Sequence, residues 1–472
     1  MAPNRIIIDT DPGVDDVLAM LLAFSAKPEE LEVLMLSITF GNVDVQNCLR
    51  NIVTLFHYIE KEKTWRRDNG RPEGFEGLKN KKPVVAVGAT EPLAEQMMVA
   101  DFYHGRDGLG GIHDTHPHLS PAETWRSLFK PPPESMTPSE AAELQKAKEA
   151  HSLFEPSLNY APDEMLRLLK ENEPNTIIIV AIGPLTNLAI ASAKDPETFL
   201  RVKEVVVMGG AVDVPGNPPN LARVYSPKML SIPVPNFNLI KQPNTPLRRE
   251  LNLRNQMTPG AEFNTYADSV ASARLFALTS PNPSTTMPPT LGGDPKSALQ
   301  DYPKKLSTQL KLKLFPLDIT TPHLLPRQLF NAHAQSLPTS PLNSWASHFL
   351  TSTYEKVFSL KPDQDPAKVG LEMHDPLTVW YALTSSAPEW KFVEEDIRVE
   401  TAGQWTRGTC IVDRRGKVIE AKDGDDVDAE IVGDAGGWMD ARWGNRILRC
   451  VGTPGEDKFA GVLLQRVFGA GL

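Results

Sequence analysis

Four carboxylates fall within eight residues near the start of the chain, in Asp9-Thr10-Asp11-Pro12-Gly13-Val14-Asp15-Asp16, directly behind the run Arg5-Ile6-Ile7-Ile8. Few architectures tolerate that juxtaposition. A short, continuous apolar run is the pattern of a parallel strand buried on both faces, and Pro-Gly marks a turn. Beyond the turn, Asp15 and Asp16 open a segment through Val17, Leu18, Met20 and Leu21, and acidic residues in a first turn suit the positive end of a helix dipole. The octet therefore predicts a strand-turn-helix junction with its acids at the carboxyl end of a strand. Held so closely without a cation, each pair of carboxylates in a partly buried site costs on the order of one to a few kcal/mol. A hard cation such as Ca²⁺, which takes about six to eight oxygen ligands, relieves that repulsion.

The same rhythm continues along the chain. A second strand is expected over Leu31–Thr39, ending in Phe40-Gly41-Asn42, followed by a helix with Cys48, Ile52, Val53 and Phe56 on one side. Further on, Asp163–Glu171 reads as helix, Thr176–Ala181 as strand, Leu185–Ala193 as helix and Val202–Met208 as strand, closing on Gly209-Gly210. Alternating strands and helices imply an α/β fold with a mostly parallel central sheet flanked by helices. In such sheets ligands bind beyond the carboxyl ends of the strands, where Asp11, Asn42, Ile182 and Met208 all fall.

Composition narrows the partners. With 41% hydrophobic and 23% charged residues, 472 residues can bury one large core. The net charge of -10 argues against nucleic acid or an anionic membrane as the main partner, since both require dense basic patches; a small neutral or cationic molecule, or a metal, suits it better. Cys48, Cys410 and Cys450 cannot all pair and show no C-x-x-C spacing, which reads as a reducing, intracellular setting. The motif begins too early for a signal peptide before it, and no apolar stretch reaches bilayer length, so a cytoplasmic protein is expected. Residues about 61–82, 114–158, 218–257 and 281–310 are charged, polar or rich in Pro. They are expected as surface insertions or disordered loops of a single domain spanning 1–472.

The octet has two competing readings. As a solvated acidic loop it would merely cap a helix, but four acids held by a Pro-Gly turn behind a buried strand are more than a cap needs. An apolar strand ending in D-x-D also begins the haloacid-dehalogenase-type phosphatases, which need a downstream Lys and a second acidic motif; Gly424-Asp425-Asp426-Val427-Asp428 is a superficial candidate without the expected strand and helix around it. Gly108-Leu109-Gly110-Gly111 lacks the G-x-G-x-x-G spacing of a dinucleotide site.

The octet resembles the signature of the inosine–uridine-preferring nucleoside hydrolase family, and other landmarks of that family follow in order. They are Thr39-Phe40-Gly41-Asn42, His104-Gly105-Arg106-Asp107-Gly108-Leu109-Gly110, Ile182-Gly183-Pro184-Leu185-Thr186-Asn187-Leu188-Ala189, Met208-Gly209-Gly210, Ala261-Glu262-Phe263-Asn264 and His374-Asp375-Pro376. Thr406-Arg407-Gly408 and Asp413-Arg414-Arg415 match a C-terminal segment common in the family. The resemblance implies hydrolysis of the N-glycosidic bond of a ribonucleoside to ribose and free base, with a calcium-bound water as nucleophile, in purine or pyrimidine salvage. By the same resemblance Asp11, Asp16, Asp375 and the main-chain oxygen of Ile182 bind calcium, and Asp11 is the base that takes the water's proton. Asp15, Asn42 and Asn264 would hold ribose hydroxyls, Met208 lies in a ribose-binding piece, and Glu262 would reach the 5′ side. His374, beside a metal-binding aspartate and titrating near neutrality, is the candidate acid for the leaving base. His104 either closes over the substrate or is solvated, and Phe263 either packs on the nucleoside or belongs to the core; Trp405 and Tyr266 are read as packing, and Asp9 as supporting structure. Dimers and tetramers are common in the family.

One departure stands out. In the family the Gly-Asn after the strand ending at Met208 leads within a few residues to the Ala-Glu-Phe-Asn motif, whereas here Gly216-Asn217 is about forty residues from Thr258-Pro259-Gly260-Ala261-Glu262. Asn217 is the formal match and Asn255 stands nearer the motif; either, or neither, takes the ribose-binding position. The intervening stretch reads as a loop insertion or a retained intron. Beside the pocket, it could yield a catalytically impaired nucleoside- or calcium-binding relative.

Overall fold

The computed structural model describes residues 3–131, 136–218, 223–224, 257–288, 299–360, 365, 369–416, 419, 431, 433–434 and 436–469. Its frame is a nine-stranded sheet whose strands, in chain order, are β1 (Asn4–Thr10), β2 (Leu31–Ile38), β3 (Val84–Val87), β4 (Glu155–Pro156), β5 (Ile177–Ala181), β6 (Glu204–Met208), β7 (Leu312–Phe315), β8 (Lys391–Glu395) and β9 (Ile447–Gly452). Across the sheet they lie in the order β8-β9-β7-β6-β5-β1-β2-β3-β4. Every pairing is parallel except β8 with β9. The parallel majority follows from the strand-helix alternation of the sequence.

Both faces of the inner strands are dry, and strand alternation shows why those strands are continuous apolar runs. Ile6, Ile8, Ile178, Val180 and Val206 join one core cluster. Ile7, Ile177, Ile179, Val205 and Val207, one residue out of phase, join another. The first cluster is completed by α1 (Val14–Phe24), whose residues are buried on all sides, as an apolar helix in the interior should be. It is also lined by α2 (Val45–Asp68). The second face is covered by α3 (Ala161–Glu171) and α4 (Thr186–Lys194). Later in the chain come α5 (Phe263–Ala267), α6 (Pro341–Leu360) and α7 (His374–Thr384). Helix α7 packs along α1, which brings the late His-Asp pair to the first strand.

The stretches expected as loops are partly regular. Helix α2 runs unbroken through 61–68, where Glu62 and Arg66 are buried and bonded at 2.8 Å. Within 114–158, Pro138–Ala150 is a helix with a Thr137–Glu140 capping box, and Trp125 and Phe154 are in the core. Tyr302, in the 281–310 stretch, is buried and bonds Ser192 at 2.9 Å. Nearly all of 218–257, and the Gly424–Asp428 motif, lie outside the described residues. Among the described residues no helix is long and apolar enough to cross a membrane.

Candidate active site

The parallel strands end along one edge, and the site is built there. The register pairs Thr10 with Ile38 and Asp9 with Ala181, so Asp11 is the first residue past the sheet. Its carboxylate is fully buried. Oδ2 accepts from the Asn42 backbone N–H at 2.7 Å, while Oδ1 has no hydrogen-bond partner. Two glycines make room for it: a Cβ on Gly41 would stand 2.0 Å from Oδ2, and one on Gly183 would stand 2.5 Å from Oδ1.

Asp16, in the first turn of α1, fixes the turn that precedes it. Its carboxylate accepts from Thr10 Oγ1 at 2.6 Å, Gly13 N at 3.0 Å, Asp11 N at 3.3 Å and Asn42 Nδ2 at 2.9 Å. Asn42 Nδ2 also donates to the Asp11 carbonyl at 3.1 Å. Asp375, delivered by the start of α7, completes the group: Asp15, Asp16 and Asp375 each offer an oxygen, and these lie within 4.8 Å of one another. Burial raises all four carboxyls above their ordinary range, with mutual repulsion added at Asp11, Asp15 and Asp375. For Asp15, burial and then the Asp16 charge lift it to about 7. Buried anions with an unpartnered oxygen among them are a donor set that fits a hard cation, and Ile182 lines the same cavity as Asp15 and Asp375.

Asp9 is set apart. It accepts from Ser37 Oγ at 2.5 Å and Asn187 Nδ2 at 2.9 Å, does not line the cavity, and is raised by burial to about 7. Its Oδ2, like Asp11 Oδ1, has no hydrogen-bond partner, but the residue stands apart from the cavity lining.

Above the acids opens a cavity of about 810 Å³. The expected residues Asp15, Asn42, His104, Ile182, Met208, Asn217, Glu262, Phe263, Asn264, His374 and Asp375 all line it; Asp11 and Asp16 sit behind its floor. Several side chains do more than the sequence suggested. Glu262 caps α5: Oε1 accepts from Asn264 N at 2.7 Å, and Oε2 from Gly210 N, Thr265 N and Thr265 Oγ1 at 2.9, 3.0 and 3.1 Å. Asn264 Nδ2 donates to the carbonyls of Ile182 at 3.0 Å and Met208 at 3.3 Å, tying α5 to two strand ends. Asn217 reaches the motif across the long sequence gap: its Oδ1 accepts from Phe263 N at 2.6 Å and its N–H bonds the Ala261 carbonyl at 3.0 Å. Asn255 lies outside the described residues.

The two histidines differ. His104 is buried in the cavity wall rather than solvated, accepts from Val14 N at 3.4 Å, and is pushed down to about 3 by burial, so it is neutral. His374 bonds Thr320 Oγ1 through Nδ1 at 2.8 Å and Glu372 through Nε2 at 3.2 Å. Burial opposes its charged form, but Glu372, Asp15 and Glu262 outweigh it and the net displacement is upward. Phe263 is both core and cavity wall, packed with Phe40, Met98 and Tyr266. Trp405, read as packing, is instead 74% exposed, while Tyr266 is buried under Arg407, whose guanidinium is 3.6 Å from the ring centre. Sequence reasoning missed Tyr103, Asp318 and Glu372 in the cavity wall, and Thr320 behind His374. Tyr103 and Glu372 flank recognised motifs; Thr320 carries no signal of its own.

The comparisons with known proteins agree with this geometry. The family model described as inosine-uridine preferring nucleoside hydrolase matches residues 6–434. Uridine nucleosidase 1 of Arabidopsis thaliana is 33% identical over 225 residues, 47% of this chain and about half (50%) of that one. The non-specific ribonucleoside hydrolase RihC of Klebsiella pneumoniae is 25% identical over 419 residues, 88% and 89% of the two chains. Among solved structures, the plant nucleoside hydrolase PpNRh1 superposes with a TM-score of 0.58 at 21% identity, covering 98% of this chain and 99% of that one, a likeness of fold. The phosphatase reading of the octet falls with these matches. The chain belongs to the inosine–uridine-preferring nucleoside hydrolase family.

Proposed function

We propose that this protein hydrolyses the N-glycosidic bond of ribonucleosides, releasing ribose and the free base. The observation that carries the reading is the unpartnered Oδ1 of Asp11 among three further buried carboxylates, of which Asp15 and Asp375 line a cavity large enough for a nucleoside. Asp11, Asp16, Asp375 and the Ile182 carbonyl would hold Ca²⁺. When bound, that ion neutralises the carboxylates, and positions and acidifies a water. Asp11 Oδ1 takes the proton as the water's oxygen bonds the anomeric carbon. The bond from that carbon to the base breaks through an oxocarbenium-like state, the base leaves with the electron pair, and His374 gives it a proton. Asp15, Asn42 and Asn264 orient the ribose hydroxyls, with Glu262 and Asn217 on the 5′ side and at the rim, Met208 and Phe263 against the sugar, and His104 closing the wall. Orientation of this kind lowers the barrier by several kcal/mol. Assembly as a dimer or tetramer and a cytoplasmic role in nucleoside salvage belong to the same proposal.

A reducing-sugar assay tests it directly, with uridine, inosine, cytidine, adenosine and nicotinamide riboside, each with CaCl₂ and with chelator. Ribose release from at least one nucleoside, lost on chelation and restored by Ca²⁺, is the expected result. Saturable nucleoside binding without ribose release would instead show a catalytically impaired binder, and release indifferent to chelation would remove the cation from the mechanism.

A further inference from the structure

Three buried hydrogen bonds converge on a side chain that this reaction does not use. Asn51, in the second turn of α2, is fully buried. Its Nδ2 donates to the carbonyl of Pro12 at 2.9 Å and to that of Asp107 at 2.7 Å, and its Oδ1 meets His113 Nε2 at 2.8 Å. The two carbonyls fix the amide's orientation, because a flipped amide would set Oδ1 against two acceptors. Oδ1 must therefore accept, His113 carries its proton on Nε2, and His113 Nδ1 accepts from Ser120 Oγ at 2.5 Å. Burial keeps that ring neutral, pushing it to about 4. Both N–H groups and the carbonyl of Asn51 are thus used.

What the amide joins gives it a purpose. Pro12 lies in the acidic turn, between Asp11 and Gly13. Asp107 lies in the loop that follows His104, and its carboxylate already organises that loop by accepting from Leu109 N, Gly111 N and His113 N at 2.9, 2.7 and 2.8 Å. The loop is therefore a preformed unit, and among the described residues the hydrogen bond that joins it to the acidic turn, besides those of Asn51, is the long one from Val14 N to His104 Nδ1 at 3.4 Å. The loop backbone rests directly on the amide: Gly108, at φ +82°, would place a Cβ 2.9 Å from Asn51 Nδ2 and 3.1 Å from the Pro12 carbonyl.

We infer that Asn51 is a positioning residue that clamps the His104 loop onto the acidic turn and so holds His104 in the wall of the nucleoside cavity. The inference rests on the nucleosidase reading for its kinetic consequence, but the clamp itself is measurable without turnover.

A double-mutant cycle tests the kinetics, since residues acting as one unit are non-additive. Asn51→Ala and His104→Ala should each raise KM about tenfold or more at 25 °C, with a smaller change in kcat, and Asn51→Ala should add less than about twofold in the His104→Ala background. Wild-type KM in Asn51→Ala, or multiplicative effects in the double variant, would overturn the inference, because a merely structural asparagine lowers the melting temperature without that pattern. Hydrogen exchange supplies the second readout. Amides of 104–111 should exchange faster in Asn51→Ala, while β1 and α1 keep their protection; unchanged protection of the loop overturns the clamp. Should Asn51→Ala not fold, Gly108→Ala, whose methyl presses on the same amide, is subject to the same criteria. A wild-type protein inactive on every nucleoside, with loop exchange still dependent on Asn51, would refute the activity and leave the clamp standing.

Discussion

Withdrawing the cation should destabilise the protein in a strongly pH-dependent way, and the structure sets the size of the effect. Without metal, burial and mutual repulsion lift Asp15 from 3.8 to about 7, and Asp11, Asp16 and Asp375 also move upward. In the unfolded chain these groups ionise near 3.8. A group whose pKa is raised on folding contributes stability that is complete below its unfolded pKa and is lost as pH rises through its folded pKa. The metal-free protein should therefore lose stability between about pH 4 and about pH 7. For Asp15 alone the displacement is worth about 4 kcal/mol at 1.36 kcal/mol per pH unit. A bound cation opposes that loss, and at a hundred times its Kd contributes about 2.7 kcal/mol. An unfolding entropy of about 2.1 cal/mol/K per residue over 472 residues makes about 1 kcal/mol equal to one degree.

The gap in melting temperature between calcium-loaded and metal-free protein should then be about 3 °C near pH 8. Near pH 5 the cation must displace protons from the site, and the gap should shrink below about 1 °C. Scanning calorimetry on protein made metal-free by dialysis, with and without added CaCl₂, reads both numbers. A gap of equal size at the two pH values, or none at either, refutes the reasoning that the four acids are one proton-coupled cation site.

Three other outcomes follow from single contacts. Asp11→Asn keeps the shape of the site and removes its base, so kcat should fall about 10²–10⁴-fold; ribose release within tenfold of wild type would be incompatible with the assigned role. Gly183→Ala alters no charge but sets a methyl 2.5 Å from the unpartnered Oδ1 of Asp11, so it should weaken the calcium-induced rise in melting temperature and cost about 1–3 kcal/mol by overpacking; an unchanged calcium titration would show that Oδ1 is not a ligand. Far from the site, Arg466 holds Glu30 through bonds of 2.8 and 2.9 Å and, with lesser help from the Lys27 backbone, pulls it down to about 2. Because the pair is about one-third exposed, solvent screening reduces its worth to about 1 kcal/mol. That contribution is present above about pH 4.5 and lost as pH falls through about 2, so Arg466→Ala should lower the melting temperature at neutral pH and leave it unchanged at the acid limit.

The sheet was legible because its inner strands are short, continuous apolar runs: Ile6–Ile8, Ile177–Val180 and Val205–Val207 are buried on both faces and divide between the two cores. The acidic site was legible because its residues are crowded at a strand end. What escaped the sequence depends on partners distant in the chain. Lys61–Asp68 reads as a loop by composition, yet it is helix because buried Glu62 takes Arg66 beside it, Ser340 just before α6 and Leu342 in its first turn. The further role of Glu262 as the cap of α5 was hidden because a Glu at a helix N-cap is uncommon, and one of its four donors comes from Gly210, beyond the end of β6. The choice between Asn217 and Asn255 was open because spacing, the measure available, is broken there by the intervening segment. Thr320 gives no signal at all: a lone threonine acquires meaning when the helical turn Leu317–Thr320, after β7, sets it beside the ring of His374.

The division of labour among the four N-terminal acids follows from where the sheet stops. Along β1, Asp9 shares the parity of Ile7, so it points to the face covered by α4 and meets Ser37 from β2 and Asn187 from α4. Its Oδ1 takes both of these scaffold donors, while Oδ2 has no hydrogen-bond partner and lies away from the cavity lining. Asp11 has the same parity, but it lies beyond the last pair of the ladder, Thr10 with Ile38, where the chain turns at Pro12-Gly13 and alternation no longer decides direction. Its neighbours are then backbone at Asn42, Gly41 and Gly183, which leave one oxygen unpartnered. Asp16 is spent largely on the turn itself, and Asp15, one residue earlier on α1, faces the cavity. A shift of one residue in the end of β1 would exchange these roles. The site is therefore specified less by the acids, which any acidic loop could supply, than by the register that ends the strand between Asp9 and Asp11.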